Sequence, residues 1–250
     1  MSSNNRIPAA ETNRLIVVLV STRNALNIGA AARAMSNFGL STLRVVNPYE
    51  AGFREARSAV GAADLLREAK PYKNLGDAVA DCHLVVGTTA ARGRQLAQPL
   101  RSLPQAGPLI RRRLGAKNRV ALLFGSEKRG LSNDDLSHCH WLLRIPTREE
   151  HGSMNLGQAV AVCLYEVART GTRLKTTQRT SPANTGDMEA ITSRLLDALN
   201  LSGYIHAKAQ SSAEEKIRRL VRRLNIVETD ADVWMGILRQ ILWKLRRNLE

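Results

Sequence analysis

Aromatic side chains make up only 4% of this chain: three Trp, four Tyr and three Phe in 250 residues. That scarcity argues against base-stacking platforms of the RNA-recognition type. Its three cysteines, Cys82, Cys139 and Cys163, are too few and too widely spaced for a disulfide framework. They read as reduced, partly buried thiols of a cytoplasmic protein. No apolar run approaches the roughly 18 residues a membrane span needs, so no membrane partner is expected. The polar stretch MSSNNRIPAAETNR lacks the apolar core of a signal peptide and reads as a frayed tail. A nucleotide-binding dehydrogenase would place GxGxxG after its first strand, and this chain offers a single Gly29 there. The triplet His138–Cys139–His140 fits no usual zinc spacing and has no second Cys/His pair after it, so no metal site is expected. Acid is missing locally as well: from Arg92 to Arg119 there are eight Lys/Arg and no Asp or Glu.

What is present is a core and a charge. Hydrophobic residues reach 44%, enough for a packed α/β domain with an appendage. The net charge is +15, of which +12 falls in residues 1–187 and +3 in residues 188–250. A basic excess concentrated in the body of the chain points to a site that works on a polyanion, nucleic acid first.

Hydrophobic patterning gives alternating strands and helices. Leu15–Val20 and Leu43–Val46 are short β-branched runs that read as buried parallel strands, joined by a helix over 28–37 that Asn27 would cap and Gly39 would end. Residues 51–70 look helical although Gly61 weakens them, and a brief edge segment at 71–73 leads to a short helix over 75–81. Strands follow at 84–87, Val120–Phe124 and 141–145, with a helix starting within 108–114 and a helical turn at 133–140. Leu156, Ala159, Val160, Cys163, Leu164 and Val167 mark one face of a strong amphipathic helix. Residues 171–187 are rich in Thr, Ser, Gly and Pro and read as a linker. Helical spacing resumes over 188–201, 213–224 and 230–249, with Asp187 and Asp230 as N-caps. In that region Trp234, Ile237, Leu238, Ile241 and Leu242 form an apolar face for packing or dimerisation.

Two stretches concentrate small and polar residues at strand ends: Gly125–Ser126–Glu127 after the fourth of these strands, and residues 146–154 after the fifth, running straight into the amphipathic helix. Strand ends that open beside a helix N-terminus are how an α/β protein builds a small-molecule site.

Three motifs, in this order and each after a strand, resemble the SPOUT superfamily of RNA methyltransferases and its SpoU/TrmH branch. They are Asn27–Ile28–Gly29–Ala30–Ala31–Ala32–Arg33, then Phe124–Gly125–Ser126–Glu127–Lys128–Arg129–Gly130–Leu131, then Ile145–Pro146 with Ser153–Met154–Asn155–Leu156. The resemblance implies an α/β-knot: a parallel sheet flanked by helices with a C-terminal trefoil knot, here followed by a helical C-terminal extension. It implies residues 1–13 as a disordered tail, 14–172 as the methyltransferase domain, 173–187 as linker and 188–250 as the extension. S-adenosylmethionine is the implied cofactor, a homodimer the implied assembly and tRNA the implied partner. The layout is most similar to the subgroup that methylates the ribose 2′-OH of cytidine or uridine at nucleotide 32 of the anticodon loop. Another SpoU-class activity, on the tRNA D-loop or ribosomal RNA, is one alternative; a non-catalytic RNA-binding scaffold is another.

By resemblance the cofactor-binding positions are Thr88, Thr89, Ala90, Gly125, Glu127, Ile145, Gly152, Ser153 and Met154. Arg33 is the implied catalytic residue, meeting RNA phosphate and helping the 2′-OH lose its proton. Because a guanidinium stays protonated near neutral pH, positioning and charge stabilisation are the firmer half of that role. Asn27 would orient Arg33 or cap its helix, Ser153 would bond the donor or the ribose, and Asn155 would cap the last helix or face the site. Glu127 would pair with Arg33 or accept loop amides. Arg92, Arg94, Arg101, Arg111, Arg112 and Arg113 are the expected RNA-binding surface, extended by Arg218, Arg219, Arg222 and Arg223.

Overall fold

In a computed structural model, the structure describes residues 7–56, 62–91, 96–148, 150, 153–169, 181–205 and 210–247. Seven parallel strands form one sheet: β1 (Leu15–Val20), β2 (Leu43–Val46), β3 (Lys70–Tyr72), β4 (Leu84–Thr88), β5 (Leu100–Ser102), β6 (Val120–Phe124) and β7 (Trp141–Arg144). Their spatial order is β3-β2-β1-β6-β4-β7-β5. Every residue of β1 is buried, which its uninterrupted LIVVLV run requires of a strand covered on both faces. The side-chain alternation divides this strand between two cores. Leu15, Val17 and Leu19 join one cluster, while Ile16, Val18 and Val20 join the other.

The first face is covered by α2 (Ala25–Asn37), α3 (Glu50–Ala56), α4 (Ala63–Glu68), α6 (Leu103–Gly115) and α8 (Leu156–Arg169). The second is covered by α5 (Leu75–Val79) and α7 (Asn133–Ser137). Helices α2 and α8 pack directly on each other: a Cβ on Gly157 would collide with the Cβ of Ala30, so the Gly157 backbone rests on the Ala30 methyl alone. The helices α9 (Thr185–Leu201), α10 (Gln210–Arg223) and α11 (Glu228–Arg247) build a third, smaller core around Met188, Ile191, Val221 and Leu238. That extension docks on the α5/α7 side. Gly186 N donates to Ala80 O at 2.6 Å, Thr185 N to Cys82 O at 2.8 Å, and Arg218 Nη1 to Ser137 Oγ at 2.9 Å.

Several boundaries differ from expectation. Asn24, not Asn27, caps α2, its side chain accepting from the amides of Leu26 and Asn27. The helix therefore starts a turn earlier and leaves the Asn27 side chain for other bonds. The expected tail is ordered from Ile7 onward: Ile7 is buried and α1 (Ala9–Thr12) is held by a Glu11–Arg111 ion pair of 3.0 Å. The basic segment contains a strand, β5, which at three residues carries no apolar run to reveal it. It also holds all of α6, whose first turn is set by Gln105 accepting from Ser102 N at 3.0 Å. The last part of the expected linker is packed structure, since Pro182 bridges to Val227 and Ala183 is buried. Asn184 rather than Asp187 caps α9, and α11 begins at Glu228, ahead of Asp230. Gly61 and residues 173–180 of the linker lie outside the described residues.

All three cysteines are free and buried, and burial pushes the Cys82 and Cys163 thiols up to about 12. They are inert packing groups.

Candidate active site

Strands β4, β6 and β7 are adjacent in the sheet and end at the same edge, so their following loops converge. The loops enclose a cavity of about 550 Å³. Thr88, Thr89 and Ala90 line it from β4; Gly125 and Glu127 from β6; Ile145, Ser153 and Met154 from the β7–α8 connection; Asn27 and Asn155 close its mouth. These are expected site residues brought together from four separate stretches. Gly152, also expected, lies outside the described residues.

Each wall has a local cause. Thr88 Oγ1 donates to Leu123 O at 2.8 Å, which ties the end of β4 to β6. Thr89 N donates to Leu143 O at 3.0 Å and Thr89 Oγ1 accepts from Ala91 N at 3.0 Å, so the β4 loop is held over β7. The β6 loop folds back on itself, with Gly130 N donating to Ser126 O at 2.7 Å and Gly130 at φ +67°. Gly125 sits against the backbone of Gly130 and Leu131, where any Cβ would overlap it.

The three motifs are joined by a chain of side-chain hydrogen bonds. Asn155 Nδ2 donates to Asn27 Oδ1 at 2.6 Å, and Asn27 Nδ2 donates to Glu127 Oε1 at 3.1 Å. Both ends fix its polarity. Asn155 Oδ1 is engaged as the α8 cap, accepting from Gly157 N at 2.9 Å and Gln158 N at 3.4 Å, so its amide nitrogen must face Asn27. Glu127, a carboxylate, can only accept. Asn155 thus caps its helix and faces the site at once. Glu127 accepts from Asn27 and, at 3.4 Å, from the backbone amide of Asn24.

Thr147 belongs to none of the sequence motifs. It lines the cavity, and its Oγ1 is buried without a hydrogen-bond partner among the described residues. A polar atom left open at a cavity wall is what a ligand would satisfy. Together with exposed strand-end amides, glycine surface and one carboxylate, it suits a zwitterionic, purine-bearing cofactor such as S-adenosylmethionine. Lys128 and Arg129 bring positive charge to the rim.

Arg33 is exposed on α2, outside the lining of this cavity and nearly two turns beyond Asn27. The expected basic surface is dispersed. Arg92 and Arg94 lie outside the described residues. Arg111 is occupied by Glu11. Arg101, Arg112 and Arg113 line a different cavity, together with His83 and Leu84 at the start of β4 and Trp141 at the start of β7, so they sit at the opposite edge of the sheet from the converging loops. Arg218 and Arg222 do not extend an outer surface: they are 5% and 2% exposed, on the inward face of α10. Of the apolar face on α11, Leu238 and Leu242 are buried while Ile237 and Ile241 remain exposed.

The chain is similar to known proteins along most of its length. Residues 14–165 match the SpoU rRNA Methylase family. The chain is 36% identical over 231 residues to a tRNA (cytidine/uridine-2′-O-)-methyltransferase TrmJ of Sodalis glossinidius, covering 90% of each. It is 35% identical over 240 residues to a tRNA (cytidine/uridine/adenosine-2′-O-)-methyltransferase TrmJ of Pseudomonas aeruginosa, covering 90% of this chain and 93% of that one. Among solved structures, TrmJ from Z. mobilis ZM4 superposes with a TM-score of 0.77 at 29% identity, over 90% of this chain and 98% of that one.

Proposed function

This chain belongs to the SpoU rRNA methylase family, and from that we propose that it transfers a methyl group from S-adenosylmethionine to a ribose 2′-OH of tRNA, at nucleotide 32 of the anticodon loop. The TrmJ relatives, matched along nearly their whole length, support tRNA as the substrate. One observation carries the assignment of the site: the Glu127–Asn27–Asn155 chain links three distant motifs at the mouth of a single cavity.

When bound, the cofactor supplies an electrophilic methyl group. Thr88, Thr89, Ala90, Gly125, Ile145, Ser153, Met154 and Thr147 would hold it, and Gly152 is assigned with them from the resemblance. The chain's own work is orientation. Asn27 and Asn155 fix the relative position of α2 and α8, and Arg33 is carried on the same α2. Arg33, cationic at neutral pH, steadies a phosphate of the incoming RNA and the charge that develops on the 2′-oxygen. Ser153 is exposed at the rim and would meet donor or ribose.

We take residues 14–172 as the methyltransferase domain and 188–250 as an extension that enlarges the RNA contact. The working form is a cytoplasmic homodimer in which the exposed Arg33 face lies near the subunit contact, and the β7–α8 connection threads the family's trefoil knot. No helix among the described residues is long and apolar enough to cross a membrane.

A map of 2′-O-methyl marks in RNA from a deletion strain tests the target. Loss at nucleotide 32 is expected; an intact mark there with loss at a D-loop or ribosomal site overturns the choice. Labelled-methyl transfer to bulk tRNA tests the activity. Wild type should transfer, and Arg33→Ala should bind donor normally while losing about 10²–10³-fold in rate. No transfer by wild type would leave the scaffold reading. Mass measurement in solution decides the dimer.

A further inference from the structure

At the opposite edge of the sheet, the amino ends of β4 and β7 open into a second cavity of about 400 Å³, with α10 and its flanking turn on the far side. Its charged lining has one sign. Arg101, Arg112, Arg113, Arg222 and Arg223 bring guanidinium groups from β5, α6 and α10, and no Asp or Glu is found among the described lining residues. Two histidines add neutral donors. His83 Nδ1 accepts from Arg119 N at 3.2 Å and His140 Nδ1 from Val85 N at 3.1 Å. With Nδ1 engaged as acceptor, each neutral ring carries its proton on Nε2. Burial holds both rings below the usual histidine range, and Arg222 and Arg113 reinforce this at His140.

The decisive group is Arg222. It is 2% exposed, and its Nε and Nη1 have no hydrogen-bond partner among the described residues. Its Nη2 reaches Glu189 at 3.3 Å, but Glu189 also accepts from Arg218 Nε at 3.1 Å. Arg218 by contrast is fully engaged, with Asp134, Glu189, Glu214 and Ser137. Arg101 repeats the pattern, with a buried Nε that lacks a partner and a guanidinium 5.6 Å from the centre of the Trp141 ring. A buried guanidinium with open donors, facing others of its own charge, is a half-made interaction.

We propose that this cavity is a phosphate-binding site, separate from the methyl-transfer site, in which Arg222, Arg113 and Arg112 from two domains share one phosphate group across the seam between them. A phosphate fits better than a carboxylate because it offers more acceptor oxygens and up to two negative charges to several forked donors. The group is either part of an RNA backbone or a free phosphate or pyrophosphate. In both cases it ties the helical extension to the sheet.

The test measures Tm in chloride, phosphate and pyrophosphate at matched ionic strength, for wild type, Arg222→Met and the surface variant Arg112→Gln. Arg112→Gln keeps the test valid if Arg222→Met does not fold. A saturable rise of about 5 °C or more is expected for wild type with pyrophosphate at a hundredfold excess over Kd, and a smaller one in both variants. A second arm follows tRNA binding through a salt series. RNA as the source lowers the slope of log K against log salt by about 0.7–0.9 for each phosphate that Arg112→Gln no longer neutralises. Free phosphate as the source leaves that slope unchanged while the pyrophosphate rise still shrinks in both variants. If neither arm separates the variants from wild type, the proposal is overturned. Both arms read binding, so they stand apart from the outcome of any methyl-transfer assay.

Discussion

The two ends of this parallel sheet solve opposite problems with different materials. At the carboxyl ends of β4, β6 and β7 the cavity is built from backbone amides, hydroxyls, glycine surface and a chain of side-chain amides ended by one carboxylate. At the amino ends of β4 and β7 it is built from arginines held apart by packing. Among the described residues the first site leaves one buried side-chain polar atom without a partner, Thr147 Oγ1, whereas the second leaves Arg101 Nε and Arg222 Nε and Nη1. Geometry is made by strand-end loops and side-chain amides in one and by packed arginines in the other, so the two should fail in different ways.

Gly125→Val attacks the backbone-built end. A side chain there cannot fit against Gly130 and Leu131, so the β6 loop must open. A distortion of about 3 kcal/mol corresponds to donor binding about 100-fold weaker by calorimetry. An unchanged Kd would show that the loop does not shape that cavity.

Acid probes the arginine-rich end. His138 is buried beside Arg218 and Arg222, and burial, aided by those cations, lowers it to about 3. The unfolded chain takes up a proton near pH 6.5 that the folded chain refuses until about pH 3. Stability contributed by neutral His138 is therefore present above pH 6.5 and is lost as pH falls below it, at up to roughly 1.4 kcal/mol per pH unit. Tm measured from pH 6.5 to 4.5 should drop for wild type and drop less for His138→Gln. Parallel curves would remove His138 from this account.

Asn155→Ala tests the hydrogen-bonded chain. It deletes the α8 cap and the bond to Asn27 together, so a loss of about 1 kcal/mol, or about 2–4 °C in Tm, is expected. The smallest effect sharpens the comparison most. Arg112→Gln should leave donor affinity within about 0.5 kcal/mol of wild type, since surface changes away from a site rarely exceed that. A larger change would mean that the two ends of the sheet communicate.

How much of this the sequence reveals follows the same division. Strands β1, β2 and β6 are legible because β-branched runs have few other uses, and their bounds match. The cavity-lining residues are legible because their motifs sit at strand ends, even though β6 precedes β4 in the sheet. The cap of α2 is misread from sequence because Asn24 and Asn27 are three residues apart and either can cap; only the distant partners Glu127 and Asn155 decide which does. Thr147 falls in the 146–154 loop read as part of a site, but nothing in the sequence singles it out there. Strand β5 is too short for periodicity, and its pairing depends on β7. Arg218 and Arg222 hold a readable clue that charge obscures: with Val221 they share the inward face of α10 at helical spacing, but arginine is usually outside.

The Ala30–Gly157 contact sets the mechanical tolerance of the whole site. Helix α2 carries Asn27 and Arg33, and α8 is capped by Asn155. With only the Ala30 methyl interposed, there is no compressible spacer between α2 and α8 at the cavity mouth. A single methyl group at residue 157 would act as a shim, wedging both helices apart beside the Asn27–Asn155 bond. Alignment here is inherited from a zero-clearance fit rather than tuned by a movable hinge, and a displacement of about 1 Å far from the chemistry can cost about a hundredfold in rate.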